Sequence, residues 1–265
     1  MLAKRIIVAL IGIPLILFLI HIGGITFLLF VLIVMAMGLR EFYSLIRKES
    51  LESLKVVGIL SALYLGISTY MNVDTVGLGL FVSVLIIILF LTRVYTKNIE
   101  TSVPDIAVTL LGVFYVGWLL SHLISLRQLP HFGREYTFLV FLTTWSIDNG
   151  AYVVGMTMGK HKAIPKISPK KSIEGIVGGL TGGIIAVLIA KWWFLPNLSY
   201  THSIGIGLLL GVMGQLGDLA ESLIKREANV KDTGSFLPGH GGILDRFDSI
   251  FFTAPVLYYY IKFLC

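Results

Sequence analysis

The sequence predicts an all-α polytopic membrane protein with about nine transmembrane helices. Three observations support this fold class. The 265-residue chain is 56% hydrophobic and only 14% charged, whereas soluble domains carry about 25% charged residues. Apolar segments recur along the whole chain, and each approaches the ~20 residues that cross a bilayer. The basic residues cluster in alternate connections, as expected when successive loops lie on opposite sides of a membrane.

The predicted spans follow one another with short connections. The first begins after Lys4 and Arg5, and no small-residue cleavage pattern follows it, so we interpret it as an uncleaved helix rather than a signal peptide. The short turn from His21 to Gly24 predicts a tight hairpin between the first two spans. The nine spans are expected near residues 6–22, 24–39, 56–72, 76–92, 105–124, 136–156, 176–195, 203–223 and 246–264.

The distribution of Lys and Arg predicts the orientation. With the N-terminus in the cytoplasm and nine alternating spans, 17 basic residues fall on the cytoplasmic side and 4 on the outer side, where the C-terminus also lies. This bias agrees with the positive-inside rule. The formal net charge of +6 is therefore attributed to cytoplasmic loops, and we expect no nucleic-acid partner. The only cysteine, Cys265, excludes an internal disulfide.

The chain divides into two regions of different character. Residues 1–135 contain about five spans whose charges lie mainly in loops and at span ends. In residues 136–265, about four spans carry acidic residues within or beside the apolar segments. Intramembrane acids are costly and usually functional. We therefore expect the C-terminal region to form a catalytic unit around a polar cavity at the cytoplasmic face.

Acidic residues in the eighth and ninth spans are spaced to share helix faces. The eighth carries polar residues at i, i+3, i+4 and i+7: Asp218, Glu221, Ser222 and Lys225. Asp245 and Asp248 have i, i+3 spacing at the start of the ninth. Grouped carboxylates repel one another, and oxygen ligands suit hard cations such as Mg²⁺. A metal site is the functional interpretation; solvated helix ends with ordinary ion pairs are the alternative.

The segment between these acids has the composition of a phosphate-binding loop. Its glycines, including Gly241 and Gly242, can expose backbone N–H groups to an anion. The flanking cations that could pair with phosphate oxygens are Lys225, Arg226, Lys231 and Arg246. His240 has three open roles: an acid–base group, a phosphate contact or a turn residue. Acidic side chains that could bind a metal, next to cationic side chains that could bind phosphate, suit phosphoryl or nucleotidyl transfer.

A second basic loop, residues 159–175, precedes the seventh span. Its polar residues Ser168, Lys170, Lys171 and Ser172 could bind a nucleotide or a lipid phosphate. Attraction of the lysines to anionic lipid is the alternative. Upstream, Asp148 lies deep in the sixth span. It is either a further functional acid or a buried structural hydrogen-bonding group.

Residues 222–248 resemble the signature of the CDP-diacylglycerol synthase family, also called phosphatidate cytidylyltransferases. The matching positions include Ser222, Lys225-Arg226, Lys231-Asp232, Gly234, Leu237 to Gly242, Asp245-Arg246 and Asp248. Gln215 to Asp218, Ser168 to Ser172 and Asp148 are also similar to family segments. Asn149 departs from the Ser or Thr expected beside Asp148.

The resemblance implies that CTP and phosphatidic acid react, with Mg²⁺, to give CDP-diacylglycerol and pyrophosphate. It implies that Asp218, Asp245 and Asp248 hold one or two cations, assisted by Glu221 and Asp148. Lys225, Arg226, Lys231 and Arg246 would bind phosphates. Contacts with CTP or the lipid head group would come from Ser168, Lys170, Lys171, Ser172, Ser222, His240, Gly241 and Gly242. The expected location is the cytoplasmic membrane of a prokaryote, with the site facing the cytoplasm.

Two other function classes are the alternatives. One is a different lipid phosphotransferase, such as a polyprenol kinase or a CDP-alcohol phosphotransferase, and nucleotide preference would separate a kinase. A cation transporter is the other, and it would release no pyrophosphate. A homodimer is expected from the chain's size and from the glycine pattern of residues 175–183, which permits close helix packing either within the chain or between subunits.

Overall fold

The computed structural model describes residues 2–46, 52–95, 99–234 and 241–264. Helices dominate these residues. In chain order they are α1 (Leu2–Ile22), α2 (Gly24–Leu45), α3 (Glu52–Tyr70), α4 (Thr75–Val94), α5 (Ser102–Gly112), α6 (Leu119–Arg127), α7 (Gly133–Met158), α8 (Ile173–Trp193), α9 (Tyr200–Glu227) and α10 (Leu244–Leu264). Two short strands, β1 (Lys162–Ile164) and β2 (Ser168–Ser172), connect α7 to α8.

A π-helical segment, Val113–Trp118, joins α5 to α6, so Ser102–Arg127 forms one continuous rod. The described residues therefore contain a helical rod at each of the nine predicted positions, and the all-α polytopic fold class is confirmed. Within the described ranges, five rods are long and apolar enough by themselves to cross a membrane: α2, α4, the α5–α6 rod, α8 and α9. The number of crossings and the side on which each terminus lies stay predictions.

The first two helices form the tight hairpin that the sequence predicts. Gly23 and Gly24 adopt positive φ values of 67° and 56°, which glycine tolerates without steric cost. The Arg127 side chain donates to the carbonyl oxygens of Ile20 at 2.8 Å and His21 at 3.3 Å. The end of α6 therefore satisfies carbonyl groups that the end of α1 leaves without helical partners.

The main core lies where α2, α6, α7 and α10 meet, around fully buried side chains such as Phe42, Phe141 and Phe251. A smaller cluster joins α3 and α4 to the α5–α6 rod. By contrast, only 11% of the apolar window of α4 is buried. Its exposed apolar side chains, including Leu80, Ile87 and Phe90, form the kind of surface that a lipid environment covers.

Glycines bring α7, α8 and α9 into close contact. A Cβ atom on Gly182 would lie 2.5 Å from the Ser146 carbonyl oxygen, and one on Gly178 would lie 2.7 Å from that of Gly150. Any larger residue would force α8 away from α7. The glycine pattern of residues 175–183 therefore serves packing within the chain, as small residues commonly do between membrane helices.

The antiparallel β1–β2 hairpin is the main departure from the predicted secondary structure. Its strands contain mostly Lys, Ser, Pro and Ile, without the alternation of apolar and polar residues that marks a half-buried strand. It ends where the Ser172 hydroxyl accepts a hydrogen bond from the Gly175 N–H at 3.1 Å and caps α8. The hairpin thus holds the basic loop against the end of the helix bundle.

Candidate active site

The candidate site lies at one end of the bundle, where α9 ends and α10 begins. Gly217 makes this approach possible, because a Cβ atom there would lie 2.5 Å from the Asp248 carbonyl oxygen. The missing side chain brings the next residue, Asp218, beside the first turns of α10. Residues far apart in sequence thereby form one polar group within an otherwise apolar bundle.

Three carboxylates form the acidic cluster of the site: Asp218, Glu221 and Asp248. Each offers a ligand oxygen, and these oxygens all lie within 4.8 Å of one another. Glu221 is only 1% exposed. Like charges at this spacing and burial strongly disfavour one another, so the cluster requires positive charge to be stable in its ionised form.

Two lysines supply part of that charge. The Lys171 ammonium, from β2, lies 2.7 Å from Asp218 Oδ2 and donates to the Gln215 carbonyl oxygen. Lys225 lies one helical turn beyond Glu221 and approaches Glu221 Oε2 at 2.5 Å and Asp245 Oδ1 at 2.8 Å. The i, i+4 spacing on α9 explains the first contact of Lys225, and the start of α10 provides the second.

The acidic cluster also fits a divalent cation. Glu221 Oε1 is buried and has no hydrogen-bond partner among the described residues, which is rare for a carboxylate oxygen. Three convergent carboxylates are the hard oxygen donors that Mg²⁺ prefers. The donor set therefore agrees with the predicted cofactor class, and it includes three of the five residues that the sequence suggested as ligands.

Asp245, a fourth predicted ligand, lies outside this cluster. Its Oδ1 accepts from Lys225, while Oδ2 accepts from the Thr233 N–H, the Thr233 hydroxyl and the Gly242 N–H at 2.8–3.0 Å. Direct metal binding would have to displace these donors. The observed contacts favour a role for Asp245 in organising the loop before α10.

Asp148, the fifth predicted ligand, is also outside the acidic cluster. It is exposed on α7 and lies within electrostatic range of Asp218, Lys171 and Arg246. Asp148 therefore faces the same polar region as the three clustered acids without being one of them.

The β1–β2 hairpin builds a small cavity beside the cluster. Ser168, Lys170, Lys171 and Ser172 line it together with residues of α7, α8 and α9, and its volume is about 180 Å³. The four hairpin residues that were predicted to bind substrate are thus brought together. Lys171 links the cavity to the acidic cluster through Asp218.

The other predicted substrate contacts occupy several positions around the site. Ser222 donates to Asp218 Oδ1 at 3.4 Å. Arg226 donates to the Ile167 carbonyl oxygen at 3.1 Å and so connects α9 to the hairpin. Lys231 and Arg246 are exposed. Gly241 adopts a φ of 83°, consistent with its predicted use as a turn glycine. His240 lies outside the described residues.

Comparison with known proteins identifies the family. Residues 3–264 match the cytidylyltransferase family. The chain belongs to this family. It is 35% identical over 262 residues to the phosphatidate cytidylyltransferase of Bacillus subtilis, covering 97% of this chain and 96% of that protein. It is 35% identical to the Synechocystis enzyme of the same name, over 98% and 97% of the two chains, and 38% identical to the Staphylococcus haemolyticus one, over 89% of each.

The prediction that the chain is a nucleotidyltransferase is therefore confirmed, and family membership disfavours the transporter and kinase alternatives. The site of this cytidylyltransferase also contains a residue that the sequence analysis did not identify. Glu41, near the end of α2, accepts hydrogen bonds from the Ile243 and Leu244 N–H groups at 2.9 and 3.0 Å. In the sequence, the only signal for Glu41 is an acid at the end of an apolar helix, a position typical of ordinary charges at span ends.

Proposed function

We propose that this chain transfers CMP from CTP to phosphatidate, giving CDP-diacylglycerol and pyrophosphate. The observation that carries the proposal is the full-length similarity to proteins named phosphatidate cytidylyltransferase, with at least 96% of both chains covered in two cases. The combination of clustered acids, paired lysines and an adjoining cavity at one end of an apolar bundle supports it.

In the proposed reaction a phosphate oxygen of phosphatidate attacks the α-phosphorus of CTP. A new P–O bond forms, and the bond to the bridging oxygen breaks as pyrophosphate leaves with its electron pair. A phosphomonoester has a second pKa near 6, so the attacking group is already largely dianionic at neutral pH. The reaction therefore needs charge neutralisation and alignment more than it needs a strong general base.

Asp218, Glu221 and Asp248 would hold a divalent cation, which we propose to be Mg²⁺. When bound, such a cation supplies charge neutralisation and orients phosphate oxygens. Asp148 and Asp245 would act from outside this ligand set. A second cation, as the family resemblance suggested, would need ligands in addition to these three acids.

The hairpin cavity would hold part of the nucleotide. Its volume of about 180 Å³ is below the range of about 300–1,000 Å³ for sites that enclose a whole small ligand, so it suits a phosphate-bearing portion of CTP. Lys170, Lys171 and Ser168 would contact that portion. Lys225, Arg226, Lys231, Arg246, Ser222 and the glycines at 241 and 242 would complete the contacts with substrate phosphates.

The site is proposed to face the cytoplasm of a prokaryotic cell, with the acyl chains of phosphatidate remaining in the bilayer. The long apolar helices and the bacterial relatives support an integral membrane protein. The homodimer predicted from the sequence remains part of this proposal.

The test is pyrophosphate release by the purified chain in detergent with phosphatidate and CTP. We expect release with Mg²⁺ and none with EDTA. ATP in place of CTP tests nucleotide choice. A lipid kinase would release a nucleoside diphosphate and no pyrophosphate, so formation of ADP or CDP with diacylglycerol as the acceptor tests that alternative. A folded sample that releases no pyrophosphate from CTP and phosphatidate in the presence of Mg²⁺ would contradict the proposed reaction.

A further inference from the structure

Glu41 connects the N-terminal half of the chain to the start of α10. Its side chain reaches from α2 to the residues at the start of α10. Oε1 accepts from the Ile243 N–H at 2.9 Å, and Oε2 accepts from the Leu244 N–H at 3.0 Å. The interacting residues are more than 200 positions apart in sequence, so this contact joins the two regions of the molecule at the edge of the site.

The Glu41 carboxylate provides acceptors for backbone N–H groups that have no acceptor within α10. The first N–H groups of an α-helix lack intrahelical acceptors and carry partial positive charge. At the start of α10 the Ile243 and Leu244 N–H groups both donate to Glu41. The Gly242 N–H, just before the helix, donates to Asp245 Oδ2 at 2.8 Å. The negative charge of Glu41 is thus placed where the helix terminus stabilises it.

Thr233 joins the two carboxylates. Its hydroxyl oxygen lies 3.1 Å from Glu41 Oε2 and 3.0 Å from Asp245 Oδ2. A hydroxyl has a single proton to donate, so the two acids share it. Asp245 in turn pairs with Lys225, which approaches Glu221 of the acidic cluster. A continuous chain of polar contacts therefore runs from α2 to the proposed cation site.

Two glycines allow Glu41 to lie directly against the loop. A Cβ atom on Gly234 would be 2.9 Å from Glu41 Oε1, and one on Gly242 would be 2.3 Å from Glu41 Oε2. Side chains at either position would expel the carboxylate. The loop therefore presents bare backbone to Glu41 on both sides of residues 235–240.

We propose that Glu41 is a positioning residue, which fixes the start of α10 and thereby places Asp248 in the acidic cluster. Asp248 lies one helical turn beyond the N–H groups that Glu41 holds. The inference rests on the proposed function for its catalytic consequence. It assigns to the N-terminal region a part in the site, whereas the sequence placed all of the chemistry after residue 135.

The primary test is Glu41→Gln, which preserves size but places an amide NH₂ where a carboxylate oxygen accepted. We expect kcat to fall by about tenfold or more, and the Mg²⁺ concentration for half-maximal rate to rise by about fivefold or more, since a lost charge-assisted hydrogen bond is of this order. The matched control is Glu135→Gln. Glu135 lies in the first turn of α7, away from the site, and pairs with Arg134. This control should leave both quantities unchanged.

Hydrogen–deuterium exchange without Mg²⁺ or substrates gives a readout independent of activity. In Glu41→Gln, amides in residues 241–248 should exchange faster than in the parent chain, while those of α8 should not. Thr233→Val and Thr233→Ser are a second pair of variants, which alter the packing less than Glu41→Gln does. The valine variant should show the same rise in Mg²⁺ requirement, and the serine variant should restore the parent value because it retains the hydroxyl.

A Glu41→Gln variant with the parent kcat, Mg²⁺ requirement and exchange pattern would overturn the proposal. So would a lower unfolding temperature with an unchanged Mg²⁺ requirement, since that would indicate a general structural role. Failure of the proposed reaction has a different signature: the parent chain would release no pyrophosphate from CTP and phosphatidate, while faster exchange at residues 241–248 in Glu41→Gln would still place Glu41 at the start of α10.

Discussion

Lys171 and Lys225 hold the acids of the site as ion-pair partners from two different elements. Lys171 reaches Asp218 from the β-hairpin, and Lys225 bridges Glu221 and Asp245 from α9. The pairs of Lys225 are buried, so removing Lys225 would leave Glu221 and Asp245 buried without compensation, whereas Asp218, the partner of Lys171, is partly exposed. Each lysine therefore influences both the stability of the site and its electrostatic potential toward anionic substrates.

The clustered acids lead to the first prediction. Asp218→Asn and Asp248→Asn should each lower kcat by about 1,000-fold or more, since each removes a charged ligand from the proposed cation site and about 4 kcal/mol of transition-state stabilisation. Steady-state pyrophosphate release measures the change. Asp74→Asn is the control: Asp74 caps α4 through the Gly77 N–H, and asparagine caps a helix about as well. Near-parent rates in Asp218→Asn would contradict the ligand assignment.

Lys171 leads to the second prediction. Lys171→Met keeps the length and apolar part of the side chain but removes its charge, so kcat/KM for CTP should fall by about 100-fold. Lys162→Met removes the same charge from an exposed position of the same hairpin. This control should change kcat/KM for CTP by less than about threefold. Equal losses in the two variants would indicate a general effect of loop charge instead of a contact by Lys171.

At the residue scale, the sequence identifies the acids but not which of them join the acidic cluster. The i, i+3 spacing of Asp245 and Asp248 predicted a shared face. In the structure, Asp248 enters the acidic cluster, while Asp245 contacts Lys225, Thr233 and Gly242. The difference depends on where the loop before α10 places its N–H groups, and no local pattern encodes that. Glu41 was missed for the same reason, because its partners are backbone groups distant in sequence.

Individual elements differ in how far their sequences specify them. Apolar length predicted the nine helical rods that the described part of the chain contains, because backbone groups in lipid must be satisfied within the segment. The β1–β2 hairpin depends instead on contacts such as the Arg226 hydrogen bond to the Ile167 carbonyl oxygen and the Lys171 pair with Asp218. Those contacts exist only once α9 has packed, so composition alone indicated a loop.

Packing of α7 on α8 leads to the third prediction. Gly182→Ala should destabilise the folded chain by about 1–3 kcal/mol, the usual cost of overpacking, because its Cβ would lie 2.5 Å from the Ser146 carbonyl oxygen. Unfolding in mixed detergent, followed by circular dichroism, measures the free energy. Gly79→Ala on α4, where no atom of another described element lies within 4 Å of the new Cβ, should cause no loss. Equal stability of the two variants would contradict the tight α7–α8 contact.

The whole molecule has a polar site at one end of a bundle whose surface is largely apolar. This asymmetry suits an enzyme that brings a soluble nucleotide to a lipid. The division into residues 1–135 and 136–265 stays a prediction, and the Glu41 contacts show that the two parts meet at the site. The orientation in the membrane rests on the distribution of basic residues.

The single native cysteine offers the fourth prediction, a test of orientation. Cys265 is the last residue and is expected on the outer side, so a membrane-impermeant maleimide should label it in intact spheroplasts. In a Cys265→Ser background, Lys162→Cys should be labelled only after permeabilisation, because the hairpin is expected in the cytoplasm. The reverse labelling pattern would invert the proposed topology.

The pairing of acids with lysines has a consequence for the order in which ligands arrive. With every group ionised, the four acids Asp218, Glu221, Asp245 and Asp248 and the two lysines that pair with them leave a formal charge of −2. At the acidic cluster itself, this surplus of negative charge opposes the approach of substrate phosphates until a cation neutralises it. Equilibrium binding should therefore be weaker for free CTP than for its magnesium complex. Phosphatidate alone should dissociate quickly, so that lipid head groups do not occupy the enzyme in the absence of the cation.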